Sequence, residues 1–233
     1  MRLFVTGTDT DIGKTVVTCA LLHALRSRGV RAIGMKPVAA GADPRGVWGD
    51  VERIRAASPI AAPLEDIAPY RLRASASPHF AAREDGVTIR REVVLAALAR
   101  LERLAEVVVI EGVGGFRVPL SDEFDSADLA QSIDAPILLV VPMRLGCINH
   151  ALLTAEAVAS RGLALAGWIA NSGIDPDYDR VAQTMDTLDK RIGEPCVGAL
   201  PRLALGQSGA DQINIDAILP RLKSIHTPLR RCS

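Results

Sequence analysis

Lysine is scarce in this 233-residue chain: Lys14, Lys36, Lys190 and Lys223 stand against 23 arginines. Aromatic side chains are few as well, two Trp, two Tyr and four Phe, which leaves little for the stacking platforms that nucleic-acid binding uses. Net charge is absent, 27 basic residues facing 27 acidic ones, and this argues against a nucleic-acid partner held by bulk charge. No apolar run approaches the roughly 20 residues of a bilayer-spanning helix. The longest, residues 135–142 and 163–170, are of strand length. The first residues run straight into a short strand-like segment, without the apolar stretch and small-residue cleavage site of a secretory leader. The four cysteines, Cys19, Cys147, Cys196 and Cys232, form no CxxC and have no histidine at metal spacing. Free thiols in a reducing compartment are expected, hence a cytoplasmic protein with no membrane partner. Disorder is excluded by composition: 48% hydrophobic and 23% charged residues suffice for a packed core.

What is present is an alternation of apolar runs with helix-period segments. Strands are expected at residues 3–5, 31–38, 107–110, 137–141, 165–170 and 197–200, and helices near 15–28, 91–104, 149–160 and 178–190. In the first helix Val17, Ala20, Leu21, Ala24 and Leu25 make one apolar stripe, and Gly29 marks its end. The strands are continuously apolar rather than alternating, so both faces are buried. The fold class is therefore α/β, a predominantly parallel sheet flanked by helices on both faces. One domain is expected over residues 1–226 with a flexible tail at 227–233. Residues 39–49 and 58–90 read as long irregular loops, which in compact domains are usually functional.

Sites in such sheets lie beyond the carboxyl ends of the strands. After the first strand comes Gly7-Thr8-Asp9-Thr10-Asp11-Ile12-Gly13-Lys14-Thr15, then a helix. This is a P-loop context: backbone N–H groups and the helix N-terminus cradle phosphate, Lys14 reaches the β- and γ-phosphates, and the Thr15 hydroxyl holds Mg²⁺. The usual P-loop has four residues between its glycines; here five residues separate Gly7 from Gly13, with Thr8 in place of the first glycine. A helix start capped by Thr10 or Asp11 is the other reading of these residues. Glu111 follows VVVI and precedes Gly112-Val113-Gly114-Gly115, a position suited to Mg²⁺ or its water, or to a plain strand-end turn. Asp50 reads as a helix N-cap or as a third oxygen ligand beside Thr15 and Glu111. Lys36 ends the second strand, as a snorkelling lysine or as a compact second cation in the site.

GTDTDIGKT, KPV, EGVGG, LGCINHALLT and the strand-end Asn171 resemble the ATP-dependent dethiobiotin synthetases, P-loop NTPase-type enzymes of biotin biosynthesis, over nearly the whole chain. The five-residue spacing is that family's own form. The resemblance implies Mg²⁺-ATP-dependent closure of the ureido ring from 7,8-diaminononanoate and CO₂, through a carbamate and its mixed anhydride with phosphate. It implies Lys14 and Lys36 as catalytic cations, with Thr10, Asp11, Ile12, Gly13, Lys14, Thr15 and Glu111 around the nucleotide and Asn171 at its base. Thr15, Asp50 and Glu111 correspond to Mg²⁺ positions. Lys36, Ala40 and Gly114 correspond to the substrate site, together with Gly146, Cys147 and Asn149 from a partner subunit, hence a homodimer with the site at its interface. Gly146-Cys147-Ile148-Asn149 opens a helix whose N-terminus suits a carboxylate; Asn149 also reads as a cap. Ala40 stands where many members carry Ser, removing one hydroxyl near the carbamate. His79, in an irregular loop, is shared but has no assigned role.

Two other readings remain at this level. A cobyrinate-type amide synthetase would share the fold but usually carries a further glutaminase domain. A partition- or septum-type ATPase would carry a lysine five residues before Lys14, where this chain has Asp9.

Overall fold

A computed structural model describes residues 1–223; the expected tail at 227–233 and Cys232 lie outside them. In chain order the elements are β1 (Arg2–Gly7), α1 (Lys14–Ser27), β2 (Ala32–Met35), β3 (Val38–Ala40), α2 (Gly49–Ala57), α3 (Leu64–Ile67), β4 (Tyr70–Leu72), α4 (Pro78–Glu84), α5 (Arg91–Leu101), β5 (Val107–Glu111), α6 (Ser126–Ile133), β6 (Ile137–Pro142), α7 (Cys147–Ser160), β7 (Leu165–Asn171), α8 (Val181–Ile192) and β8 (Cys196–Leu200), then a 3-10 turn at Ala210–Gln212 and α9 (Ile215–Lys223).

Six strands form one sheet in the order β2-β5-β1-β6-β7-β8, every neighbouring pair parallel. The expected α/β architecture is therefore the observed one. Successive strand residues point to opposite faces. Leu3 and Val5 pack with Leu21, Leu22 and Leu25 of α1 and Ile218 of α9; Phe4 packs on the other face with the cluster that includes Leu98 of α5 and Ile133 of α6. Because both faces are covered, each strand must be apolar at every position, which is the pattern read from the sequence. Each leucine so buried contributes roughly 1.5–3 kcal/mol. The chain leaves β5 on one side of β1 and enters β6 on the other. The strand order thus reverses beside β1, and the crevice at its carboxyl end is where a ligand is expected.

Three expectations are corrected. Residues 31–38 are not one strand. β2 stops at Met35, and Lys36 and Pro37 lead to β3, which pairs with β4 in a separate two-stranded ribbon. Pro37 has no N–H for the sheet ladder, while the Lys36 N–H donates to the Ile67 carbonyl and the Pro37 carbonyl accepts from Tyr70, at 2.8 and 3.1 Å. Second, residues 58–90 are not wholly irregular; they hold α3, β4 and α4, elements of three to seven residues, too short for a period to be legible. Third, the helix caps fall elsewhere. Gly13, not Thr10 or Asp11, precedes α1; Trp48 precedes α2, placing Asp50 inside its first turn; and Gly146 precedes α7, placing Asn149 inside the helix. α6 had no reading from the sequence, although Asp125 and Asp128 cap it reciprocally. No described helix is long and apolar enough to cross a membrane. Among the described cysteines Cys147 is buried and Cys19 and Cys196 are half-buried, all as free thiols.

Candidate active site

The loop after β1 curls back on itself. Asp11 adopts φ 55° and Gly13 φ 85°, the left-handed region that costs a non-glycine residue energy. At Gly13 the need for glycine is steric as well, since a Cβ there would lie 2.1 Å from Asn171 Nδ2. Asn171, at the end of β7, braces the loop from below: Nδ2 donates to the Ile12 carbonyl at 2.8 Å and Oδ1 accepts from Gly173 N at 3.1 Å. Asp9 tethers the loop from outside, its carboxylate pairing with Arg144 at 2.9 Å. Inside, Lys14 Nζ donates to the Asp9 carbonyl at 2.7 Å. These bonds fix the loop in place, as a preorganised anion site requires.

Leaving the sheet at Lys36 has a chemical consequence. Met35 pairs with Ile110, so the next residues on the two strands, Lys36 and Glu111, emerge together. Glu111 is fully buried and Lys36 nearly so. Glu111 Oε1 accepts from Lys36 Nζ at 2.6 Å and from the Thr15 hydroxyl at 2.8 Å. Lys36 Nζ also donates to the Gly112 carbonyl at 3.1 Å and stands 3.8 Å from Asp50 Oδ2. Asp50 Oδ1 in turn accepts from Arg53 Nη2 at 2.9 Å. The result is a line of alternating groups: Arg53, Asp50, Lys36, Glu111, Thr15.

These residues line a cleft of about 580 Å³ with Thr10, Asp11, Gly13, Lys14, Ala40 and Gly114. Burial, and then the nearby ammonium of Lys36, push the Lys14 pKa down to about 8, against the pull of Glu111, Asp50 and Asp11. An anion entering the cleft would relieve both effects. The second oxygen of Glu111, Oε2, is buried and has no hydrogen-bond partner, an arrangement that costs energy unless a ligand or ion completes it. Thr15, Asp50 and Glu111 present hard oxygens to one cleft, a donor set that fits Mg²⁺. Among the described residues no group of three or more His, Cys, Asp or Glu could hold a metal by itself. That is the usual situation of Mg²⁺ with nucleotide, where phosphate and water fill the remaining positions.

The convergence expected of Lys14, Thr15, Lys36, Asp50 and Glu111 is therefore present. Ile12 is buried beneath the loop, and Asn171 supports the loop rather than lining the cleft. Gly146, Cys147 and Asn149 lie at the start of α7 and are not among the cleft residues. Three polar cleft residues had no sequence reading: Arg53, Ser75 and Ser77. Arg53 was within reach of one, because it stands three residues after Asp50 on the same helix face. Ser75 and Ser77 sit in a segment that read as loop.

A family model described as an AAA domain matches residues 1–207. The chain is 52% identical over 219 residues to the ATP-dependent dethiobiotin synthetase BioD of Aromatoleum aromaticum, covering 93% of this chain and 95% of the relative. It is 48% identical over 223 residues to the protein of the same name in Ralstonia nicotianae, covering 94% and 97%. Among solved structures, a ParA family ATPase from Chlorobium tepidum superposes with a TM-score of 0.56 at 11% identity, covering 93% of this chain and 98% of that one. The septum site-determining protein MinD from Pyrococcus horikoshii gives 0.56 at 17% identity, covering 93% and 95%. The structural neighbours share the fold alone, whereas the sequence relatives share about half of all residues from end to end, so the chain belongs to the ATP-dependent dethiobiotin synthetases, ligases of biotin biosynthesis.

Proposed function

We propose that this chain closes the ureido ring of dethiobiotin from 7,8-diaminononanoate and CO₂ at the expense of ATP, in the cleft above β1 and β5. The observation that carries the reading is the double use of Glu111: one buried carboxylate oxygen holds both the Thr15 hydroxyl and the Lys36 ammonium. It ties the phosphate loop to a second cation across one cleft. One amine of the diamino acid takes up CO₂ and loses a proton, giving a carbamate. A carbamate oxygen then attacks the γ-phosphorus as the bond to ADP breaks, and the second amine displaces phosphate from the carbonyl carbon.

Each step places negative charge where the chain holds positive charge. Lys14 and the loop N–H groups face the polyphosphate. Lys36 meets the carbamate and the phosphoryl group in transfer, with Gly114 lining the same cleft. Thr15, Asp50 and Glu111 would hold Mg²⁺, which when bound neutralises charge on the phosphates. Ala40 offers no hydroxyl. Asn171 is assigned to the nucleotide base through the resemblance. Incubation with ATP, Mg²⁺, bicarbonate and 7,8-diaminononanoate should yield dethiobiotin by mass spectrometry with one phosphate released per ring closed. Phosphate release that ignores the diamine would instead favour an ATPase switch.

We infer further that the enzyme is a homodimer whose partner supplies Gly146, Cys147 and Asn149 to the substrate carboxylate. Supporting this, Asn149 is exposed and lies outside its own cleft. Leu145 and Leu153, four residues to either side, are 88% and 56% exposed, an apolar edge that a second copy would cover. Leu153→Glu should give a folded monomer by analytical ultracentrifugation and raise the KM for the diamino acid more than that for ATP. A wild-type monomer in solution would refute the dimer.

A further inference from the structure

Among the described residues that line the cleft the cations are Lys14, Lys36 and Arg53, and the reaction above uses only the first two. Arg53 stands on α2 one turn beyond Asp50. Nη2 donates to Asp50 Oδ1 at 2.9 Å and Nε reaches the Gly49 carbonyl at a long 3.3 Å. Nη1 has no partner among the described residues. The side chain is 61% exposed, so it is poorly placed as a support for the fold: exposed ion pairs contribute little, and helix pairs at this spacing no more. It is well placed as a reserve of positive charge. Its anion, Asp50, is shared with Lys36 on the other oxygen, and phosphate oxygens entering the cleft offer the guanidinium a better partner than a solvated carboxylate held in common.

We propose that Arg53 leaves Asp50 when the substrates are bound and donates to the transferring phosphoryl group, as a third cation beside Lys14 and Lys36. During transfer the bond from the β,γ-bridging oxygen to the γ-phosphorus breaks and that from the carbamate oxygen forms. Charge sits on the equatorial phosphoryl oxygens and on the departing ADP, with no proton moved by Arg53. A planar guanidinium presents two parallel N–H donors to two such oxygens in a fixed fork, a geometry that the rotating donors of an ammonium do not hold. Asp50 then serves as the resting place of the guanidinium in the empty enzyme and aims it at the cleft. The inference rests on the phosphoryl-transfer reading above and adds a residue to it.

The test uses Arg53→Ala and Arg53→Lys in the full chain, with ADP binding measured by calorimetry in the presence and absence of aluminium fluoride, a mimic of the phosphoryl group in flight. Arg53→Ala should leave ADP affinity within about twofold, because ADP lacks the group that is contacted. Its affinity for ADP with aluminium fluoride should fall at least about tenfold, and kcat with the diamino acid about 10²-fold, the loss typical of one transition-state donor. Arg53→Lys should recover about a tenth of wild-type kcat, restoring the charge without the fork, and it carries the test if the alanine variant does not fold. Affinity for the mimic and kcat both within about twofold of wild type would overturn the proposal. A parallel loss of ADP and mimic affinity would overturn it equally, since it would mark a role in holding the site together. If the wild type forms no dethiobiotin, the reaction reading fails, while the calorimetry still decides for or against Arg53.

Discussion

Replacing Lys14 by Gln should lower ATP turnover by about 10²–10³-fold while leaving the fold intact. Lys14 is buried to 6% exposure, its ammonium donates to the Asp9 carbonyl and to no other group among the described residues, and burial together with Lys36 holds its pKa down to about 8. Burial and the neighbouring ammonium thus disfavour the charge on Lys14, and a phosphate beside it would favour that charge. A glutamine is one bond shorter but still carries an N–H donor and removes the charge, so the loss should fall on the nucleotide steps. Thermal denaturation without nucleotide should move little and in the stabilising direction, because a desolvated cation is deleted. Turnover within tenfold of wild type would dismiss Lys14 as the phosphate cation.

Glu111→Gln should be damaging on both counts. The Lys36 ammonium, 4% exposed, has its 2.6 Å partner in Glu111 and only the more distant Asp50, at 3.8 Å, as a second anion. Removing one partner of a buried ion pair costs about 3–5 kcal/mol. The lower end applies because Asp50 remains and because the orphaned Oε2 is relieved of its charge. About 3 kcal/mol corresponds to a fall of roughly 6–12 °C in melting temperature for a chain of this size. The double variant Lys36→Met with Glu111→Gln should recover part of that loss while remaining inactive. Equal melting temperatures for wild type and Glu111→Gln would show that the pair does not carry the junction between β2 and β5. Mg²⁺-dependent nucleotide binding, measured by calorimetry, should weaken in the same variant, since Thr15 and Glu111 act through one shared oxygen.

The pieces of this site were unequally legible. GTDTDIGKT is local: its glycines, its lysine and its threonine act within one loop, and contiguous residues preserve that information whatever surrounds them. Glu111 and Lys36 each read as the end of an apolar run, so their location at a strand terminus was available as well. Their contact was not, because it depends on β2 lying beside β5 with Met35 opposite Ile110, a pairing of residues 75 apart. Arg53 was only half legible, for a related reason. Helical spacing ties it to Asp50, but nothing local says that this face of α2 turns toward the cleft. The segment 58–90 misled because elements of three to seven residues carry less than two helical turns of pattern, and their existence depends on tertiary bonds such as that from Lys36 N to Ile67 O.

The linear order of residues determined that the chain would bury continuous strands between helices and would hold phosphate after the first strand, since hydrophobic periodicity and backbone turn chemistry act over a few residues. Only the tertiary structure decided which charges meet. Glu111 chooses Lys36 and Thr15, Asp50 is divided between Lys36 and Arg53, and Asn171 bonds to the loop beneath Gly13. Hydrogen bonds need heavy-atom distances near about 3 Å and screened charges interact over roughly 10 Å, and distances of that size between remote residues exist only once the sheet has closed.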